Sequence, residues 1–83
     1  MDYNKLSFAI RSKNRKKVIM AMSSMKTPSQ IKKEIGMEDS NVARALRELE
    51  REGIIKCLTP KQKMGRLYEL TAEGEKIRKA IPK

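Results

Sequence analysis

Apolar residues recur at helical spacing in two stretches of the chain. With about 3.6 residues per turn, the stretch after Ser12 places four apolar residues on one face: Val18, Ile19, Met22 and Met25. In SNVARALRELEREG, residues 40–53, another apolar face carries Val42, Leu46 and Leu49, with Ala45 beside it. Both patterns predict amphipathic helices that bury one stripe.

The segment between these helices, TPSQIKKEIG, carries the signals that begin and end a short helix. These are an N-cap, a proline in the first turn, a capping-box glutamine and a terminal glycine: Thr27, Pro28, Gln30 and Gly36. Only residues 37–39 then separate it from the next helix, which Glu38 or Asp39 can cap. Two helices joined by a tight turn containing glycine are a helix-turn-helix.

The pattern changes period after Gly53. IIKCLT and GRLYELT are short runs rich in branched and aromatic residues, separated by a basic loop. Pro60 and Gly65 fit the strand ends around a hairpin loop. These runs predict two antiparallel strands.

The two ends of the chain predict short helices that close the core. Thr71 can cap AEGEKIRKAI, and Pro82 helps to end it. NKLSFAIR suits a short helix, although the alternation of Leu6, Phe8 and Ile10 would also suit a strand. We therefore predict one domain over residues 1–83, mainly α with a small β-hairpin, ordered as three or four helices, a hairpin and a last helix.

Charge and composition limit the function. Twenty Lys and Arg against ten Asp and Glu give a formal charge of +10, which favours a polyanionic partner. The longest apolar run, residues 18–22, is too short for a transmembrane helix or a secretory signal, so we expect a cytoplasmic protein. A single Cys57 and no histidine leave the usual zinc and acid–base sites without ligands. We expect neither enzymatic activity nor a metal or cofactor.

The basic residues of the stretch 40–53 share one face, although the stretch is neutral overall. Opposite its apolar stripe lie Ser40, Arg44, Arg47 and Arg51. Such a face is either a solvated surface or a surface offered to nucleic acid. Glu48, four residues after Arg44, can orient that guanidinium.

TPSQIKKEIGMEDSNVARALRELEREGIIK, followed by GRLYELTAEGEKI, resembles the winged helix-turn-helix domains of MarR-like and ArsR-like transcription regulators. The resemblance implies a recognition helix at about residues 39–52 and a wing at about residues 59–66. It also implies double-stranded DNA as partner and a homodimer, for which the candidate interface residues are Leu6, Phe8, Ile10, Ile77 and Ile81. Metal sensing of the ArsR kind is not expected, because the cysteine and histidine clusters are missing, and no small-molecule pocket is evident.

The resemblance assigns candidate DNA-binding residues to three groups. The first group, at the start of the recognition helix, would approach bases: Ser40, Asn41 and Arg44. The second would meet phosphates: Arg47, Arg51, Lys32, Lys33, Lys13 and Arg15, with Lys16 nearby. The third, in the wing, would flank or enter a minor groove: Lys61, Lys63 and Arg66.

Two alternatives stay open at this point. An RNA-binding or ribosome-associated domain would use the same basic faces, although few aromatics are present for stacking on single strands. A domain used for protein assembly would dock them on an acidic subunit. Cys57 is predicted to be a half-buried strand residue, and the methionines are predicted to be core filling.

Overall fold

The computed structural model describes residues 3–82, which form five helices and one two-stranded antiparallel sheet. In chain order the elements are α1 (Tyr3–Ile10), α2 (Lys13–Ala21), α3 (Pro28–Ile35), α4 (Asp39–Arg51), β1 (Ile55–Cys57), β2 (Tyr68–Leu70) and α5 (Ala72–Ala80). This order confirms the predicted helices and hairpin, and it decides for a helix at residues 3–10 rather than a strand.

The predicted side-chain caps of α3 and α5 are present. The Thr27 hydroxyl accepts from the Gln30 amide at 3.3 Å, while the Gln30 side chain accepts from the Thr27 amide at 2.8 Å. Gly36 ends α3 in the left-handed region, at φ +64°. Thr71 caps α5 by accepting from the Gly74 amide at 3.1 Å. Side-chain capping thus fixes where α3 and α5 begin, as the sequence indicates.

The core lies where α2, α3 and α4 pack together, with α1, α5 and the base of the hairpin closing it. Each of these elements except α1 contributes large, fully buried side chains, namely Val18, Ile19, Met22, Ile31, Val42, Leu49, Ile54, Ile55 and Ile77. The predicted apolar stripe of α4 is confirmed, since Val42, Ala45, Leu46 and Leu49 are all buried. Met25 was wrongly assigned to the apolar face of α2: the helix ends at Ala21, and Met25 is 52% exposed.

The hairpin is shorter than its apolar runs. Its register pairs Ile55 with Leu70 and Cys57 with Tyr68, and Cys57 is half-buried as predicted. A third short segment joins the sheet, because the Lys26 amide donates to the Tyr68 carbonyl and the Tyr68 amide donates to the Lys26 carbonyl, each at 2.9 Å. This bridge ties the residue before α3 to the hairpin.

The last helix packs closely on the base of the hairpin. A Cβ built on Gly74 would lie 2.0 Å from the Ile54 carbonyl oxygen, so only glycine permits this approach. Ile77 is fully buried and Ile81 is 4% exposed. Their expected role in a dimer interface is therefore wrong, because both complete the core of their own chain. Of the other proposed interface residues, Leu6 and Phe8 are half-buried and Ile10 is 45% exposed.

Within residues 3–82, no helix is both long enough and apolar enough to cross a membrane.

Candidate nucleic-acid interface

The turn between α3 and α4 sets the angle between these two helices. Gly36 takes the left-handed conformation that ends α3, and Met37, 8% exposed, anchors the turn in the core. Glu38 occupies the N-cap position of α4, but its side chain makes no capping hydrogen bond. Asp39 instead forms an ion pair with Lys32 at 3.1 Å, which joins the two helices on the surface. The predicted carboxylate cap is thus replaced by a bridge between helices.

The outward face of α4 is an exposed arginine stripe, defined here as Arg44, Arg47 and Arg51. Within the described part of the chain, none of the three forms an ion pair. Ser40 is exposed on the same face, whereas Asn41 is half-buried at its edge. Four buried residues on the opposite side of the helix hold the stripe in place. Three positive charges are therefore presented on a rigid element with no partner from the described chain.

Arg15 is not part of that exposed surface. Its guanidinium donates to both carboxylate oxygens of Glu48, at 3.4 and 3.2 Å, and to the Phe8 carbonyl at 2.8 Å. It also stacks on the Phe8 ring, 3.7 Å from the centroid. Its predicted phosphate contact stays a prediction, and it would come from a guanidinium that already has partners within the chain. The predicted pairing of Glu48 with Arg44 is wrong, since the Glu48 carboxylate pairs with Arg15.

The environment of Glu48 favours its charged form. The hydrogen bond from Arg15 lowers the pKa of Glu48, and the charges of Arg15, Arg44 and Arg51 lower it further, against a partial opposing effect of burial. The carboxylate is thus ionised at neutral pH and is held by a partner from α2.

The predicted wing is the loop between β1 and β2, and it is anchored at its base. The Leu67 amide donates to the Thr59 hydroxyl at 3.0 Å, and the Leu58 amide donates to the Leu67 carbonyl at 2.7 Å. Nearer the tip, Arg66 Nε donates to the Gln62 carbonyl at 2.6 Å. These bonds order the loop without covering it.

The tip of the loop combines cations with an exposed apolar side chain. Lys61 and Lys63 are exposed, and Met64 is 87% exposed beside Gly65, whose φ is +66°. The prediction that the methionines fill the core fails at Met64, because that prediction used residue type alone. The position of Met64 between Lys63 and Gly65 in a hairpin loop was the signal that could have indicated its exposure.

One residue of the arginine stripe and one residue of the loop border the same groove, of about 400 Å³. Arg47 lines it from α4, Arg66 from the loop, and Pro28 from the start of α3. Two cations from distant parts of the sequence therefore line one concave surface, together with the carboxylates of Asp39 and Glu50.

The remaining predicted cations lie on other grooves. Lys32 and Lys33 border the surface of the turn between α3 and α4. Lys13 and Lys16 border a separate groove between α2 and the end of α3, of about 560 Å³. The structure therefore does not gather all the predicted contacts beside α4. Among residues 3–82, no group of three or more metal-ligating side chains is found.

No protein-family model and no curated protein matches the sequence. Solved structures do match. A MarR family transcription regulator superposes with a TM-score of 0.77 at 23% identity, over 94% of this chain and 56% of the other. An ArsR family transcriptional regulator superposes with a TM-score of 0.71 at 23% identity, over 94% of this chain and 79% of the other.

A third match is a mutant MarR from E. coli complexed with operator DNA, with a TM-score of 0.70 and 24% identity, over 93% of this chain and 60% of the other. The chain thus spans somewhat more than half the length of the two MarR structures. The element order, the hairpin beside α4 and these superpositions together show that the protein has the winged helix-turn-helix fold, in which α3 and α4 form the helix-turn-helix and the hairpin is the wing.

Proposed function

We propose that the protein is a cytoplasmic transcription regulator that binds double-stranded DNA sequence-specifically, with α4 in the major groove and the wing at the flanking backbone or minor groove. The observation that carries this proposal is the arginine stripe, three cations on a rigid exposed helix with no partner from the described chain. The fold that it shares with a MarR bound to operator DNA supports the same assignment.

The first turns of α4 supply the candidate base contacts. Ser40 and Arg44 are exposed, and Asn41 is half-buried at the edge of their face. Arginine pairs bidentately with guanine and asparagine with adenine, and a good pair discriminates by about 1–3 kcal/mol against a wrong base. Sequence reading is therefore assigned to the N-terminal half of the helix.

The remaining cations are assigned to the DNA backbone. These positioning contacts are Arg47, Arg51, Lys33, Lys13, Lys61, Lys63 and Arg66, with Lys32 shared with Asp39. If about six phosphates are neutralised per protomer, the slope of log K against log salt is about −5. A slope near zero would contradict this electrostatic part of the proposal.

We also propose a homodimer, since a two-fold symmetric protein reads an inverted repeat with two recognition helices. Tyr3 and Ile10 on α1, 77% and 45% exposed, are the apolar side chains available there for a second copy. Sedimentation at tens of micromolar tests this. A monomer would overturn the homodimer while leaving DNA binding intact.

The test of the whole proposal is selection of bound sequences from a random duplex library, with Asn41→Ala/Arg44→Ala in parallel. A matched control is Lys76→Ala/Lys79→Ala, which removes exposed charge from α5. We expect an enriched inverted repeat with the wild type and the control, and loss or change of that repeat with the α4 variant.

Other outcomes separate the rival functions. Binding without enrichment would indicate a protein that contacts only the DNA backbone. Stronger binding to RNA than to duplex DNA would favour an RNA-associated winged helix. An absence of binding to either at moderate salt would favour a winged helix that docks on an acidic protein.

A further inference from the structure

Arg15 connects three helices at the edge of the proposed DNA-binding face. Arg15 lies in α2, its guanidinium stacks on the Phe8 ring of α1, and it forms a bidentate ion pair with Glu48 of α4. The side chains of Arg15 and Glu48 are only 18% and 26% exposed. An ion pair with this geometry and burial is more constrained than an ordinary surface pair.

Glu48 has other possible partners on its own helix. Arg44 lies four residues before it and Arg51 three residues after it, spacings at which side chains on a helix meet. Neither arginine pairs with Glu48 in the structure; the carboxylate contacts Arg15 instead. The charges of both arginines nevertheless lower the pKa of Glu48, so their attraction to it is present without contact.

We propose that Arg15 is a positioning residue that holds Glu48 against α1 and α2, and thereby leaves Arg44 and Arg51 available to a polyanion. Without Arg15, the Glu48 carboxylate would turn toward one of these arginines and compete with DNA for it. The inference rests on the proposed DNA binding for its consequence, but the arrangement of side chains can be tested without DNA.

The first experiment is a double-mutant cycle on DNA affinity, using the selected duplex. Methionine keeps much of the length of arginine but removes its charge, so Arg15→Met releases Glu48. Each phosphate contact changes log K by about 0.9 for a tenfold change in salt concentration. One contact therefore raises the affinity roughly eightfold at 0.1 M salt, compared with its contribution at 1 M salt. We expect Arg15→Met to weaken binding roughly eightfold, and Glu48→Gln to restore it in that background.

The matched controls separate this role from direct contact. Glu48→Gln alone is expected to change affinity less than about twofold, because Arg15 already holds the carboxylate away from the stripe. Lys17→Met removes the same charge from α2 at an exposed position without an ion pair in the described chain, and adding Glu48→Gln to it should give no rescue. An equal effect of Glu48→Gln on affinity in the wild-type, Arg15→Met and Lys17→Met backgrounds would overturn the proposal. A loss of affinity in Arg15→Met that Glu48→Gln does not restore would also overturn it, because it would indicate that Arg15 contacts a phosphate directly.

A second measurement needs no DNA. The arginine Nε–H signals in ¹H–¹⁵N spectra of the free protein report which guanidinium is hydrogen-bonded. We expect protection of Arg15 in the wild type, and a new shifted, protected signal from Arg44 or Arg51 in Arg15→Met. Unchanged Arg44 and Arg51 signals would overturn the proposal even if DNA binding failed. If Arg15→Met does not fold, Arg15→Lys, which keeps the charge but loses the bidentate geometry, gives the same readouts with a smaller change.

Discussion

Helix α4 and the wing both expose cations, but they are built differently. The stripe on α4 is entirely arginine, and four core residues on the other side of the helix fix its position. The wing tip carries lysines on an exposed loop, held by a few hydrogen bonds at its base and nearer its tip. Arginine presents a planar fork that matches a guanine edge or a phosphate, whereas lysine is a point charge on a flexible stem.

This difference indicates a division of roles. A rigid element can place donors within the narrow geometry that base discrimination needs, while a loop can supply attraction to the backbone from many positions. We therefore expect changes in α4 to alter which sequence is bound, and changes in the wing to alter how tightly any duplex is bound.

The largest expected effect comes from disturbing the contact between α5 and the base of the hairpin. Gly74→Ala places a methyl group against the Ile54 carbonyl oxygen, at the base of the hairpin. Although alanine favours helices, the clash has no flexible side chain to relieve it, so we expect a loss of about 3 kcal/mol or more in unfolding free energy. Urea denaturation followed by circular dichroism measures it.

Gly65→Ala is the matched control for this change. Its Cβ would meet open space, so only the left-handed conformation at φ +66° opposes the substitution, at a cost of about 1 kcal/mol. Equal stability losses in the two variants would show that α5 does not constrain the base of the wing as the structure indicates.

Arg44→Ala should produce the largest change in specificity. We expect a loss of about 1–3 kcal/mol in binding free energy on the selected site, and a relaxed preference at one base pair. Competition binding against single-base variants of that site measures both quantities. Arg44→Lys should regain part of the affinity without the base preference, because the fork geometry is lost. Full recovery of preference by lysine would contradict the assignment of Arg44 to base reading.

Lys63→Ala should weaken binding uniformly. Loss of one phosphate contact lowers the magnitude of the slope of log K against log salt by about 0.9. At 0.1 M salt this corresponds to a roughly eightfold lower affinity, taking 1 M salt as the reference. The ranking of DNA sequences by affinity should stay the same. Salt titrations on matched and random duplexes test this. Lys79→Ala, a similarly exposed lysine on α5, should leave the slope unchanged. A changed ranking of sequences in Lys63→Ala would remove the proposed division between wing and helix.

The smallest effect concerns the pH dependence of stability at the edge of α4. The folded-state pKa of Glu48 lies below its ordinary value of 4.5, so the stability from its ion pair is present above 4.5 and is lost as pH falls through the lower folded-state pKa. The difference in unfolding free energy between wild type and Glu48→Gln should therefore shrink below pH 4.5. A difference that stays constant down to pH 3 would show that the Glu48 charge makes no net contribution.

Local signals made most of the fold predictable. The capping box of Thr27 and Gln30, and the glycine at position 36, mark the bounds of α3 through backbone groups a few residues away. The apolar spacing in α4 likewise predicts which face is buried. Such features depend on neighbours within one or two turns, and they were confirmed.

Contacts between distant residues were not predictable in this way. The bridge of Lys26 with Tyr68 uses backbone groups, which leave no mark in the pattern of side chains. Glu48 had two plausible partners on its own helix, and the partner in the structure is 33 residues away. The charge of Arg15 alone therefore did not reveal the partner that folding brings to it.

The sequence by itself determined the order of α2 to α5 and the hairpin, the bounds of α3, the apolar stripe of α4 and the position of the arginines opposite it, because helical periodicity and capping act over a few residues. Only the tertiary structure decided that Arg15 is withdrawn from the exposed surface, that Ile77 and Ile81 belong to the core, and that Arg66 meets Arg47 at one groove. These outcomes depend on which helices pack together, and packing joins residues whose separation along the chain carries no periodic signal.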